Sequence, residues 1–370
     1  MKPFRVLVVD DSVVIRHLVS DLLAADPMIE VVGTARNGRV ALRQIEALEP
    51  DLVTLDIEMP ELDGLGALRE IRSRWPKLPV IMFSTLTSDG AEATIKALVF
   101  GASDYVTKPS NVGSMADGVT AVRDQLLPKV KALCGWIEPT PTPAPTVRVP
   151  TRPAADPRSI TPVSLLVIGT STGGPNALGT LWPMLTAPCP VPVLLVQHMP
   201  PKFTKSLADR LSGFGTVPIA EAVDGEPLRS GRGYIAPGDH HMRLRRTTSG
   251  ITLRLDHGPL ENSCRPSLEP TFRSAAEYFG AGVLAVMLTG MGQDGIEGSA
   301  AIVEAGGTLI AQDKESSVVW GMPGAVVSAG LTDLVLPLDQ IAPAINRRLQ
   351  AAVPSVANRP YRPLVARGTS

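Results

Sequence analysis

In the first third of the chain, acids, hydroxyls and a lysine stand where short apolar runs end. Residues 5–9 deliver Asp10 and Asp11, 52–55 deliver Asp56, 80–83 lead into Ser84 and Thr85, and Lys108-Pro109 follows 104–106. If these runs are strands of one parallel sheet, their C-terminal ends share an edge, where such folds bind ligands. Carboxylates gathered there repel one another unless a divalent cation neutralises them, and a hard, oxygen-ligated Mg2+ suits the donor set. Acids, a metal, a hydroxyl and a lysine around one edge make a phosphoryl-transfer site. Asp56 is then the nucleophile, and Lys108 offsets charge on the phosphoryl oxygens. Taken alone, the Asp10-Asp11 pair is also explained as the cap of a helix starting at Ser12. The agreement of four strand ends is what points to chemistry.

A second constellation lies beyond residue 160. The apolar run 164–169 breaks into GTSTGGP (169–175), a glycine-rich turn expected to open a helix near Pro175. Ser171 then sits at a strand end beside helix N–H groups that could hold an oxyanion. The pattern G-x-S-x-G fits a nucleophile elbow, and a phosphate-binding loop would look much the same. The next apolar run, 193–197, ends in His198, and the run 282–289 ends in a glycine-rich turn carrying Asp294. Ser171, His198 and Asp294 from three strand ends can converge as nucleophile, general base and orienting carboxylate. Their order along the chain is not the Ser…Asp…His of α/β-hydrolases. Taken singly, Asp294 is also accounted for by turn chemistry, and Met291 by local packing with its backbone N–H near the turn.

Both sets require strands alternating with helices. Before residue 135 the expected strands are 5–9, 30–34, 52–56, 80–84 and 104–106, with helices over 12–25, 39–48 and about 114–133 among those between and after them. After residue 162 the strands 164–169, 193–197, 282–289 and 307–311 recur with helices, and 231–255 reads as antiparallel hairpin structure. The fold class is therefore α/β, with two doubly wound, mainly parallel domains. Between them, residues 138–162 hold eight prolines and no periodic apolar pattern, the mark of a semi-rigid extended linker. The expected division is 1–125 (last helix to about 135), a linker over 136–162, a larger domain over 163–352 and a tail over 353–370.

Composition narrows the classes. The chain has 370 residues and a formal net charge of −1, so no basic excess exists to recruit nucleic acid. An output domain that binds DNA would need basic helices, and none stands out. No apolar run approaches the roughly 20 residues that span a bilayer, so no membrane insertion is expected. Cys134, Cys189 and Cys264 are scattered, which suits a reducing, cytoplasmic setting better than a disulfide framework or zinc site.

The stretches VVDDS (8–12), TLDIEMPELDGL (54–65), FST (83–85) and GASDYVTKP (101–109) resemble the receiver domain of two-component response regulators. That resemblance implies phosphorylation of Asp56 by a histidine kinase. It implies Mg2+ on Asp11, Asp56 and the Glu58 backbone carbonyl, with Asp10 acting mostly through water, and Ser84 and Tyr105 as switch residues. The stretches VIGTSTGGPNAL (167–178), VQHMPPKFTKSLADRL (196–211), GYIAPGDHH (233–241), CRPSLEPTFRSAA (264–276), LTGMGQDGIEG (288–298) and AQDKESSVVWGMPGA (311–325) resemble the chemotaxis protein-glutamate methylesterases, the CheB family. This implies a triad of Ser171, His198 and Asp294, aided by Thr172 and Met291 at the oxyanion, with no cofactor for the hydrolase. Arg265 is a candidate contact for acidic receptor helices, against the alternative of a surface or structural ion pair.

The implied substrates are γ-glutamyl methyl esters of methyl-accepting chemotaxis receptors, with receptor glutamines as possible deamidation targets. A chemotaxis histidine kinase is the phosphodonor. The alternative is an esterase of the same fold, under the same control, serving a parallel chemosensory system. The unphosphorylated receiver is expected to pack over the Ser171 edge and block it.

Overall fold

A computed structural model describes residues 2–109, 115–135 and 161–350. Most of the expected linker and all of the expected tail lie outside these residues. The first domain alternates strand and helix: β1 (Phe4–Val9), α1 (Val13–Ala24), β2 (Ile29–Ala35), α2 (Gly38–Leu48), β3 (Leu52–Asp56), α3 (Gly64–Arg74), β4 (Val80–Ser84), α4 (Ser88–Val99), β5 (Asp104–Thr107) and α5 (Met115–Leu133). The sheet order is β2-β1-β3-β4-β5, and every pairing is parallel. Strands β3, β4 and β5 are buried along their whole length, which is why β3 and β4 read as nearly unbroken apolar runs. Ser12, Asn37, Asp63 and Thr87 cap α1 to α4 through side-chain oxygens, fixing where each helix leaves its loop.

The second domain holds β6 (Leu165–Thr170), α6 (Gly174–Leu181), β7 (Val193–Gln197), α7 (Phe203–Phe214), β8 (Ile219–Glu221), β9 (Gly233–Ile235), β10 (His241–Thr247), β11 (Gly250–Asp256), α8 (Leu268–Phe279), β12 (Val283–Met287), α9 (Ile296–Glu304), β13 (Thr308–Gln312), α10 (Met322–Ser328), β14 (Leu334–Leu336) and α11 (Leu338–Gln350). Its main sheet runs β14-β13-β12-β6-β7-β9-β8 and is parallel throughout. Chain order reverses direction at β6, which has β7 on one side and β12 on the other. Open sheets of this kind bind ligands at that switch point.

The antiparallel hairpin is β10 with β11, Thr247 pairing with Gly250 across the turn. It is narrower than the expected 231–255. Gly233–Ile235 instead joins the parallel sheet beside β7, because its Gly-Tyr-Ile run is wholly buried there. The two domains touch directly. Helix α4 packs on α6 and α7. Val80, Met82 and Tyr105 of the first domain share one apolar cluster with Phe203 and Leu207 of the second.

Candidate active site

The β6–α6 turn brings Ser171 to the sheet edge. Gly173 has φ +77°, and a Cβ on Gly174 would collide with the Gln197 and Thr170 side chains, so only glycines fit this turn. The Ser171 carbonyl accepts from Gly174 N at 2.8 Å and from Gln197 Nε2 at 2.9 Å, tying the turn to the end of β7. His198 follows directly. Its Nδ1 lies 3.2 Å from Ser171 Oγ and its Nε2 lies 2.8 Å from Asp294 Oδ2. With Nε2–H donating to the carboxylate, the Nδ1 lone pair faces the serine hydroxyl.

Asp294 is 2 % exposed and each of its oxygens is occupied. Oδ1 accepts from Ser267 Oγ at 2.6 Å and Asn262 Nδ2 at 2.8 Å. Oδ2 accepts from Leu268 N at 2.7 Å besides His198. Burial alone would raise its pKa. The His198 contact, the Leu268 amide and the Ser267 hydroxyl outweigh that and hold it below the ordinary carboxylate value. Burial works against charge on His198, but Asp294, and then Cys264 with its Sγ 3.6 Å from Nδ1, push it up to about 10.

Behind Asp294 stands Glu269, 3 % exposed, whose carboxylate accepts from Gly295 N at 2.9 Å, Glu297 N at 3.2 Å and Gly298 N. These are the orphan amides at the start of α9, so a side chain from α8 caps α9 and fixes the turn that carries Asp294. Burial and nearby Asp294 push Glu269 up to about 7 against those amides.

The edge of the first sheet gathers the other set. Lys108 Nζ lies 2.9 Å from Asp10 Oδ2 and 2.8 Å from Asp56 Oδ1. Asp56 is pushed up to about 6 by burial and by Asp10, against the pull of Lys108. Asp56, Glu58, Ser84, Thr85 and Lys108 line one small cavity of about 20 Å³. Ser84 Oγ donates to Gly90 O at 3.1 Å and accepts from Thr94 Oγ1 at 2.5 Å. The donor set suits a divalent cation: Asp10, Asp11 and Asp56 each offer an oxygen within 4.8 Å of the others, and the buried Asp56 Oδ2 has no hydrogen-bond partner.

A family model for the CheB methylesterase matches residues 166–345, and one for the response regulator receiver domain matches residues 6–120. The protein-glutamate methylesterase/protein-glutamine glutaminase of Nocardioides sp. is 53% identical over 360 residues, covering 96% of this chain and 98% of that one. That of Trichodesmium erythraeum is 45% identical over 351 residues, covering 94% and 100%. The chain belongs to the CheB family. The crystal structure of the Thermotoga maritima CheB methylesterase catalytic domain covers 50% of this chain and 99% of that one, at 43% identity and a TM-score of 0.49.

The remaining residues singled out in this CheB-family sequence are placed as follows. Thr172 is buried, its Oγ1 donating to Asp104 Oδ2 of the first domain at 2.7 Å. Met291 is half-buried in the turn before Asp294. Arg265 is bonded within the fold: Nε and Nη2 donate to Asp239 Oδ1 at 2.9 and 2.6 Å, and Nη1 donates to Gly258 O at 2.8 Å. Tyr105 stacks on Phe203 with centroids 4.9 Å apart.

Asn262, Cys264, Ser267, Glu269 and Gln197 escaped the sequence reading. A helix-capping signal at Ser267 was available, since it precedes Leu268–Phe279 and accepts from Glu269 N. Its second bond, to Asp294, carries no local signature.

Proposed function

We propose that this chain hydrolyses γ-glutamyl methyl esters on methyl-accepting chemotaxis receptors, and that phosphorylation of Asp56 accelerates it. The observation carrying this reading is the unbroken relay from Ser171 Oγ through His198 to Asp294, at 3.2 and 2.8 Å. His198 Nδ1 takes the serine proton as Oγ attacks the ester carbonyl. Backbone N–H groups of the turns carrying Thr172 and Met291 would steady the developing oxyanion. The imidazolium, steadied by Asp294, returns its proton to the departing methoxide, and methanol leaves. Water, activated by the same nitrogen, splits the acyl-enzyme to the carboxylate. A receptor glutamine follows the same path with ammonia as the leaving group.

We assign Arg265 to holding the loop before α8 through Asp239, in place of contact with the receptor. In the receiver, Asp10, Asp11, Asp56 and the Glu58 carbonyl would hold Mg2+, which when bound neutralises charge during phosphoryl transfer from a chemotaxis histidine kinase. Lys108 would meet the phosphoryl oxygens, and Ser84 and Tyr105 would carry the change to the face that packs on α6 and α7. No helix among the described residues is long and apolar enough to cross a membrane. A cytoplasmic setting follows from this reading of kinase and receptor.

The test is methanol release from methyl-labelled receptor membranes. Wild type should release it and Ser171→Ala should not. Release that survives in Ser171→Ala would remove the serine from the mechanism.

A further inference from the structure

Gln197 ends β7 one residue before His198, and it is 2 % exposed. Both hydrogens of its amide go to the site. Nε2 donates to the Ser171 carbonyl at 2.9 Å and to the His198 carbonyl at 3.3 Å. One amide therefore holds the peptides of the nucleophile and the base at once. Ser171 is gripped on its other side too, its N–H donating to Thr289 O at 3.0 Å. The amide has only this orientation open to it, because turned over its Oε1 would face two carbonyl oxygens.

Holding the amide this way leaves its oxygen stranded. Oε1 is buried and has no hydrogen-bond partner. Both it and the Thr170 hydroxyl crowd Gly174, and that hydroxyl already donates to Thr289 O at 2.9 Å. A buried acceptor without a donor weakens a fold, so an apolar side chain of the same length would serve β7 better than glutamine. We propose that Gln197 is a positioning residue of the hydrolase: its two donated bonds set the approach of Ser171 Oγ to His198 Nδ1, at the expense of stability. This rests on reading Ser171 as the nucleophile, though on no particular ester.

The experiment follows the full chain, with a small phosphodonor present, in its reaction with a fluorophosphonate. Serine oxygen bonds to phosphorus, fluoride leaves and the proton passes to the base, so no receptor is needed. In parallel, kcat and KM are measured on an activated acetyl ester. Gln197→Met keeps the side-chain length and lacks both the donors and the stranded acceptor. Phosphonylation and kcat should fall about 10²-fold, the scale of a reacting group misplaced by about 1 Å. KM should stay, and Tm should hold or rise. A side chain with only a structural part would do the reverse, lowering Tm and leaving kcat per folded molecule unchanged.

Gln197→Asn keeps the amide but is one methylene too short to reach both carbonyls. It should lose kcat as well, and it carries the test should the methionine variant fold poorly. A folded methionine or asparagine variant with wild-type kcat overturns the proposal. So does a loss confined to KM. A wild type inert to the fluorophosphonate would take Ser171 out of the mechanism and this proposal with it. A wild type that reacts, yet releases no methanol from methylated receptor membranes, would instead overturn the substrate reading and leave the role of Gln197 standing.

Discussion

At the scale of single residues, the proposed nucleophile Ser171 faces one ring nitrogen, and that nitrogen is shared. His198 Nδ1 faces both Ser171 Oγ at 3.2 Å and Cys264 Sγ at 3.6 Å. A general base works only when neutral, and this one is pushed up to about 10 from 6.5. The rate should therefore climb as pH rises through neutrality, with the acid limb of kcat/KM on the alkaline side of 6.5. Cys264→Ala removes one of the raising contacts and should move that limb down; an unmoved limb would dismiss the thiol.

Asp294→Asn would turn an amide N–H toward the donors of Asn262, Ser267 or Leu268, and kcat should fall about 10³–10⁴-fold. A loss below tenfold in steady-state kinetics would contradict the relay. Ser171, His198 and Asp294 were legible because each stands in the turn that follows an apolar run. Asn262 and Ser267 were not, because their bonds to Asp294 span about thirty residues of chain and belong to no local pattern.

Among the elements, α9 begins at Gly295, which offers no side-chain cap, and the cap arrives from Glu269 on α8. A sequence reading searches for caps next door and finds none here. Short strands escaped for a related reason. Ile219–Glu221 and Leu334–Leu336 have three residues each, too few for any periodicity, and are fixed only by their neighbours in the sheet. The hairpin was over-extended because the turn-forming glycines around 231–238 stand directly before the alternating residues of β10 and β11.

Glu269→Ala strips three amides of their acceptor and should destabilise the fold by about 1–3 kcal/mol, read as a lower Tm, with kcat falling as Asp294 loosens. Its folded pKa of about 7 exceeds the ordinary 4.5. The folded chain thus keeps a proton that the unfolded chain releases, and this group's contribution to stability falls as pH rises between those values. Glu269→Gln should flatten that part of the Tm-against-pH curve. An identical slope would place the titration elsewhere.

Across the whole molecule, two sheets were readable from two series of apolar runs, but their contact was not. Asp104 and Thr172 meet across 68 positions, and nothing in either local sequence announces the other. The interface puts the receiver's β5 against the residue beside Ser171, the contact expected of a receiver that restrains the hydrolase. Deleting residues 1–160 should raise activity on a small ester above that of the unphosphorylated full chain, and lower activity would contradict restraint by the receiver.

The most direct test of the central claim is the rate of methanol release from methylated receptor membranes, with and without a small phosphodonor, in wild type and Asp56→Asn. The account predicts donor-stimulated release in wild type and an unstimulated basal rate in Asp56→Asn. Equal stimulation of both, or phosphorylation of Asp56 without any change in release, would contradict it.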